Sequence, residues 1–446
     1  MAKQPLVAVI GAGFGGLKLV QGLAKAPVRV LLVDRHNYHL FQPLLYQVAT
    51  AALSPADIAY PIRRIFRSQK NVQVVLGEVT KVDLAQSTFG SERATMKYDY
   101  VVLACGSTHS YFGHEEWKDI ATGLKTVDDA TTIRRRVLLA FEGAEYEADA
   151  EARKAKLTFV VVGGGPTGVE MAGALREIAA KDIPKDCRSI DTTMARIILV
   201  QGSDRLLPTF PPELSARAQR DLEAMGVQVR LNARVTNVDA DGIWIGEERL
   251  FAANVLWAAG VQAPAVMKSL GVPTDRSGRV IVNANLSIPG HPNAFVIGDA
   301  AAVTDAKTGQ PVPGLAPAAM QMGKFVAKII AAETRDPAAA PPRPGFHFVD
   351  KGTMATIGTR RAVADIRGFR FAGFFAWTLW SLIHLTFLVS FRNKLWVLLN
   401  WVYQYITNGR EARLITGEVK LNVKTVRTED SPATAADTSL DVSHSP

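Results

Sequence analysis

Cysteine is nearly absent: the 446 residues hold two, Cys105 and Cys187. With no CxxC or CxxxxC pair, zinc fingers, iron–sulfur cluster motifs and disulfide frameworks are excluded, and a reduced compartment fits. Glycine (35) and proline (23) stand at ordinary levels, which rules out collagenous and low-complexity chains. Long apolar runs are scarce. One stretch, 371–391, carries 21 uncharged residues, too few in the whole chain for a polytopic membrane protein. After the first five residues the chain turns directly into an apolar strand pattern, so no signal peptide is expected. What is present is a globular balance, 48% hydrophobic and 21% charged, enough to bury a large core in two to four domains.

Positive charge is in excess, with 51 Lys and Arg against 42 Asp and Glu, a net +9. Such a surface favours nucleic acid, anionic lipid or an acidic substrate. The excess is concentrated: residues 350–413 hold nine basic side chains and three acidic ones, and four of the seven tryptophans (Trp377, Trp380, Trp396, Trp401) lie among them.

Two segments repeat a β–turn–α–β pattern. Residues 6–10 form an apolar run ending in Gly11-Ala12-Gly13-Phe14-Gly15-Gly16; a helical pattern follows, and a second apolar run closes at Asp34. A dinucleotide pyrophosphate needs this geometry. Gly11 permits the tight turn, Gly13 lets phosphate approach the backbone, Gly16 lets the helix pack on the sheet, and the helix N-terminus offers free N–H groups. Asp34 stands where a carboxylate can accept from ribose hydroxyls. The pattern returns at Gly163-Gly164-Gly165-Pro166-Thr167-Gly168, with its second strand closing at Gln201. Glutamine still hydrogen-bonds a ribose, yet it does not repel a 2′-phosphate. Two such sites predict an α/β chain of two Rossmann-like dinucleotide-binding domains. The first is read as an FAD site and the second as an NADH or NADPH site. Ala104 and Gly106 in the first unit, and Ala259 and Gly260 in the second, are paired strand-to-turn segments whose small residues let backbone approach a cofactor. Gly298-Asp299 follows the apolar run 294–297, where an aspartate can bind the ribityl chain of a flavin.

Disulfide reductases of this architecture carry a cysteine pair on the helix after the first unit. Here that region runs from His36 to Tyr46 without cysteine, so the flavin is expected to pass electrons directly to a bound acceptor. His36 and His39 are read as packing or hydrogen-bonding residues, and no metal site is expected. In the C-terminal segment, aromatic and basic residues coincide, and Thr378, Ser381 and His384 recur at helical spacing. A pair of interfacial helices lying on anionic lipid fits this better than one spanning helix, with a helix hairpin in a homodimer interface as the other reading. A membrane-surface flavoprotein without cysteines implies a quinone as acceptor, and no nucleic acid partner.

The stretches at 34–50 (DRHNYHLFQPLLYQVAT), 163–173 (GGGPTGVEMAG), 295–301 (FVIGDAA), 315–327 (LAPAAMQMGKFVA) and 350–358 (DKGTMATIG) resemble the type II NADH:quinone oxidoreductases, the non-proton-pumping NADH dehydrogenases. The resemblance runs over nearly all of 5–410. It implies the two-dinucleotide-binding-domain flavoprotein fold with C-terminal membrane-anchoring helices. The implied partition is an FAD-binding domain over 1–115 and 266–345, an NAD(P)H-binding domain over 116–265, a membrane-anchoring and quinone-access domain over 346–426, and a disordered tail over 427–446. Arg35, Gln42, Leu45 and Val79 join the FAD contacts. The family's AQxAxQ quinone motif reads Ala316-Pro317-Ala318-Ala319-Met320-Gln321 here, so only Gln321 carries over. Glu170 matches the family's acidic residue near the nicotinamide and proton path, and Lys351 a basic residue near the quinone tunnel. The place implied is peripheral, on the cytoplasmic face of a bacterial inner membrane, and a homodimer is left open. Two other readings remain at this stage: a soluble NAD(P)H:acceptor oxidoreductase, and an FAD/NAD-dependent redox sensor.

Overall fold

A computed structural model describes residues 4–91, 94–407 and 409–416; the tail expected to be disordered lies outside the described residues. The short β-branched runs predicted as strands are strands, and they are apolar on both faces because helices cover both sides. The first unit runs β1 (Leu6–Ile10), α1 (Phe14–Gly22), β2 (Arg29–Asp34), a one-turn helix α2 (Leu45–Ala49), β3 (Val72–Leu76) and β4 (Tyr100–Leu103). The second runs β5 (Ala121–Gly123), α3 (Val127–Glu145), β6 (Thr158–Val162), α4 (Pro166–Glu177), β7 (Arg196–Val200), β8 (Val227–Arg230) and β9 (Asn254–Trp257). The chain then returns through β10 (Ser287–Ile288), β11 (His291–Val296) and the long α5 (Ala316–Arg335).

The first sheet has the order β10-β11-β4-β1-β2-β3, parallel except for the β10–β11 pair. The second has the order β5-β9-β6-β7-β8 and is parallel throughout. In both, the first strand of the glycine unit lies inside the sheet, so its turn opens at the carboxyl ends, where ligands bind in open α/β sheets.

The C-terminal part is an antiparallel sheet of β12 (Thr353–Gly358), β13 (Arg361–Ile366) and β14 (Phe369–Ala372), followed by α6 (Phe374–Phe387) and α7 (Phe391–Thr407). The uncharged stretch 371–391 is therefore not one helix. It starts in β14 and breaks after α6, where Ser390 adopts φ +89° and the Lys394 ammonium donates to the carbonyl of Thr386. At 1.5 Å per residue α6 and α7 span about 21 and 26 Å, against a hydrocarbon layer of about 30 Å. Among the described residues no helix is long and apolar enough to cross a membrane. Both helices leave large apolar side chains in the open. On α7 Phe391 is 80% exposed and Ile406 73%, and on α6 Phe375 is 63% exposed.

Candidate functional site

The two glycine loops are built alike at their first, third and last positions. Gly11 and Gly163 take φ +103° and +109°, and a Cβ on either would run into the carbonyl of Ala104 or Ala258 in the neighbouring strand-to-turn segment. A Cβ on Gly16 or Gly168 would overlap the carbonyl oxygen of Gly11 or Gly163. These four glycines are required by the protein's own packing. Gly13 and Gly165 are not: nothing lies within 4 Å of where their Cβ would stand. The free space sits at the N-terminus of α1 and of α4, where backbone N–H groups and the helix dipole favour an anion. Each loop thus has room for a pyrophosphate, and the residues present fit a dinucleotide at both.

The second strand of each unit ends on the loop. Asp34 Oδ2 accepts from Ala12 N–H at 2.6 Å and Oδ1 from His36 N–H at 2.7 Å. Gln201 Oε1 accepts from Gly164 N–H at 2.7 Å, and its Nε2 donates to Ser203 Oγ at 2.5 Å. Position and hydrogen bond are shared, while the charge is not. His39 Nδ1 lies 2.8 Å from the carbonyl of Ala12, and Nε2 is buried without a partner among the described residues, edge-on to Phe14. Burial holds its pKa down.

Further residues converge on the first cradle. Asp299 Oδ2 accepts from Ser107 Oγ at 3.0 Å, Lys125 Nζ donates to the same hydroxyl at 3.0 Å, and Gln42 Nε2 donates to the Lys125 carbonyl at 3.2 Å. Gly106 and Gly260 turn at φ +67° and +75°, and Gly298 at +71°. Leu45 and Val79 are buried, and Arg35 is exposed beside Asp34. Burial pushes the Cys105 thiol up to about 12 and raises Cys187 to about 11, which disfavours the thiolate at both.

Glu170, one turn into α4, lines a cavity of about 90 Å³ between the second unit and the C-terminal helices. Burial raises its carboxyl to about 8 despite an N–H donated by Thr356. The cavity brings in residues to which the sequence assigned no site role: Tyr46, Gln47, Thr356, Trp380 and Trp401. Trp401 Nε1 donates to Gln47 Oε1 at 2.8 Å, Gln47 Nε2 donates to the Tyr46 hydroxyl at 2.9 Å, and that hydroxyl meets Thr356 Oγ1 at 3.1 Å. Burial first, and then the Glu170 carboxylate, hold the Tyr46 phenol above its usual range. The far wall is a latch. Arg410, 9% exposed, reaches Glu177 at 3.0 Å, Asp182 at 3.3 Å and the Thr50 carbonyl at 3.0 Å. Burial works against the Glu177 carboxylate, but Arg410 and Lys181 outweigh it and leave the group below its ordinary value.

Gln321 and Lys351 stand apart from this cavity. Gln321 clamps the backbone of Val349, donating to its carbonyl and accepting its N–H, both at 3.0 Å. Lys351 is exposed ahead of β12. His384 points its Nδ1 at the Trp380 carbonyl at 2.8 Å and stacks on the Trp380 ring, and burial lowers it to about 4.

Two linked dinucleotide cradles define a pyridine-nucleotide flavoprotein, and the pyridine nucleotide-disulphide oxidoreductase family model matches residues 5–323. The NDH2 C-terminal domain model matches 351–411. The chain is 43% identical over 430 residues to the type II NADH:quinone oxidoreductase NdhA of Mycobacterium tuberculosis, covering 93% of this chain and 90% of that one. It is 30% identical over 435 residues to the internal alternative NAD(P)H-ubiquinone oxidoreductase A1 of Arabidopsis thaliana, covering 91% and 84%. NDH2 from Plasmodium falciparum, solved in complex with NADH, superposes with a TM-score of 0.84 at 19% identity over 93% of this chain and all of that one. The chain belongs to the type II NADH:quinone oxidoreductase family.

Proposed function

We propose that this chain oxidises NADH and reduces a quinone at a bilayer surface, moving no charge across the membrane. FAD, held at the first cradle, supplies hydride acceptance and two-electron transfer. The observation that carries the reading is the pair of glycine loops whose central glycines, Gly13 and Gly165, are left open by the protein itself. Asp34 and Asp299 hold the flavin nucleotide, with Gln42, Leu45, Val79, Ala104 and Gly106 around it. Gly165, Pro166, Gln201, Ala259 and Gly260 hold the pyridine nucleotide. Glu170, protonated near neutral pH, keeps a proton available beside the cavity for the quinone oxygens. The absence of a carboxylate at Gln201 supports use of NADPH as well.

The partition follows the sheets: 1–115 with 266–345 for FAD, 116–265 for NAD(P)H, and the C-terminal helices for quinone access. The exposed face of α6 and α7 supports a monotopic seat on anionic lipid. Each large apolar side chain buried there contributes roughly 1.5–3 kcal/mol. The cytoplasmic face of the membrane is the side from which this enzyme would draw NADH. The competing occupant of that face is a second copy of the chain. Anaerobic addition of NADH to the purified protein should bleach a flavin spectrum, and a long-tailed quinone should restore it. A colourless protein, or a bleached one that no quinone restores, overturns the reading. Detergent-free fractionation tests the seat, since a wholly soluble pool removes it.

A further inference from the structure

Lys125 carries an ammonium into the first cradle from outside the first unit. It lies at the turn into α3, yet its side chain reaches Ser107 Oγ at 3.0 Å, and that hydroxyl donates to Asp299 Oδ2 at 3.0 Å. Its carbonyl accepts from Gln42 Nε2, and its N–H donates to Asp129 at 2.9 Å, which also faces His109 at 3.4 Å. The position is therefore fixed by backbone at both ends. The ammonium itself is loosely partnered. Its one hydrogen bond among the described residues goes to a neutral hydroxyl, and Asp299 stands one atom further off and forms no direct ion pair with it. Two of its three donors are unclaimed. Burial lowers its pKa, and Asp299 only partly restores it. A half-buried cation with unclaimed donors is costly unless something anionic completes it.

We propose that Lys125 is a flavin contact, and that its ammonium pairs with the negative charge FAD gains on reduction. The inference rests on the reading of the first cradle as the FAD site. Hydride from NADH brings two electrons and one proton to neutral oxidised flavin, so the reduced ring holds one extra negative charge until a second proton arrives. A cation at Ser107 and Asp299 binds the reduced form more tightly than the oxidised form, and differential binding of the two forms is a shift in potential. A tenfold preference corresponds to about 30 mV for a two-electron couple.

The test is reductive titration of purified holoenzyme against a reference dye, with FAD retention measured alongside. Lys125→Met should lower the two-electron midpoint by about 30 mV or more, or release FAD at least tenfold more readily. Lys125→Arg should keep most of both. If Lys125→Met does not accumulate folded, Ser107→Ala, which frees the ammonium from its anchor, should move the midpoint in the same direction. A midpoint and an FAD affinity unchanged in the variant that folds overturn the proposal and leave Lys125 as a structural tie. A parent protein that binds no FAD instead overturns the functional reading itself.

Discussion

The two nucleotide-binding units share their loops and differ in what covers the helix behind each loop. Behind the first, α5 lies directly on α1. A Cβ on Gly323 would strike the carbonyl of Gly15, and one on Gly22 would strike the Ala327 side chain. That seam is closed by small residues, and Lys18 on it donates to Gln21 in its own helix. Behind the second, β12 closes on α4 near Gly173, whose added Cβ would strike the Ile357 carbonyl. One turn earlier the cover opens into the cavity that holds Glu170. Lys18 and Glu170 occupy the same position in their respective repeats, seven residues after the first glycine. A duplicated cradle thus gives two places for a nucleotide, while a loose, aromatic and polar cavity opens behind the second. The same contrast holds at the strand ends, where Asp34 and Gln201 make the same hydrogen bond with different charge.

The largest test separates packing glycines from open ones. Gly16→Ala and Gly168→Ala drive a methyl into a carbonyl and should each cost about 3 kcal/mol or more, seen as a lower melting temperature in both units alike. Gly13→Ala and Gly165→Ala meet no protein atom and should leave melting within about 0.5 kcal/mol of the parent. Each should still weaken its own nucleotide, FAD for the first and NADH for the second. Equal melting losses in all four would break the comparison.

Glu170→Gln comes next. Folded, the carboxyl keeps its proton to about pH 8, against an ordinary 4.5. The folded state therefore binds more protons between those values. Its contribution to stability is full below the ordinary value and is lost as pH rises through the folded one. The variant has no such loss, so its melting advantage over the parent should grow from about pH 5 to about pH 9. Quinone reduction should fall about 10²-fold, the low end for a positioned proton donor, and its decline above about pH 8 should flatten. Lys18→Met, the matching change in the first unit, should show neither effect.

Both loops, both closing residues and the Gly298-Asp299 turn were legible in the sequence because each depends on local chemistry: a glycine where φ is positive, an apolar run, a polar strand end. The aromatic C-terminal segment was legible as a pair of helices, but the exact place of its break was not, since Ser390 carries no turn signature of the usual kind. Lys125, Tyr46, Gln47 and Arg410 were not legible. Tyr46 meets Thr356 across 310 positions and Arg410 meets Glu177 across 233, and nothing local distinguishes such residues from ordinary surface or core. Gln321 was read from a motif and Lys351 from the family resemblance, and the structure puts them on a backbone clamp and an exposed loop.

The strand-end contrast is sharpened by Gln201→Glu. A carboxylate there would restore the charge that Asp34 has in the first unit and would face a 2′-phosphate. The ratio of kcat/KM for NADPH to that for NADH should fall about tenfold, or about 1.4 kcal/mol. An unchanged ratio would mean that Gln201, tied to Ser203, does not see the 2′ position.

The smallest effect tests whether the cover over the second helix is tied to the first unit. Trp401→Phe keeps an aromatic ring, though a smaller one, and removes the N–H that reaches Gln47, a residue of α2. The hydrogen bond spans from the amphipathic helix to the first unit, and such bonds contribute about 1 kcal/mol net. Gln47→Leu removes the other partner. If the pair acts as one link, the double variant should be less destabilised than the two singles together, with a coupling of about 1 kcal/mol by denaturant melts. Additive losses would show that the helix is seated by Asn393, Gln404 and Arg410 alone, which bind the carbonyls of Ala56, Ala52 and Thr50. The loose cover over Glu170 would then owe its position to Arg410 beyond α7 and to the Asn393 and Gln404 side chains on it, with the Trp401–Gln47–Tyr46 chain merely filling it.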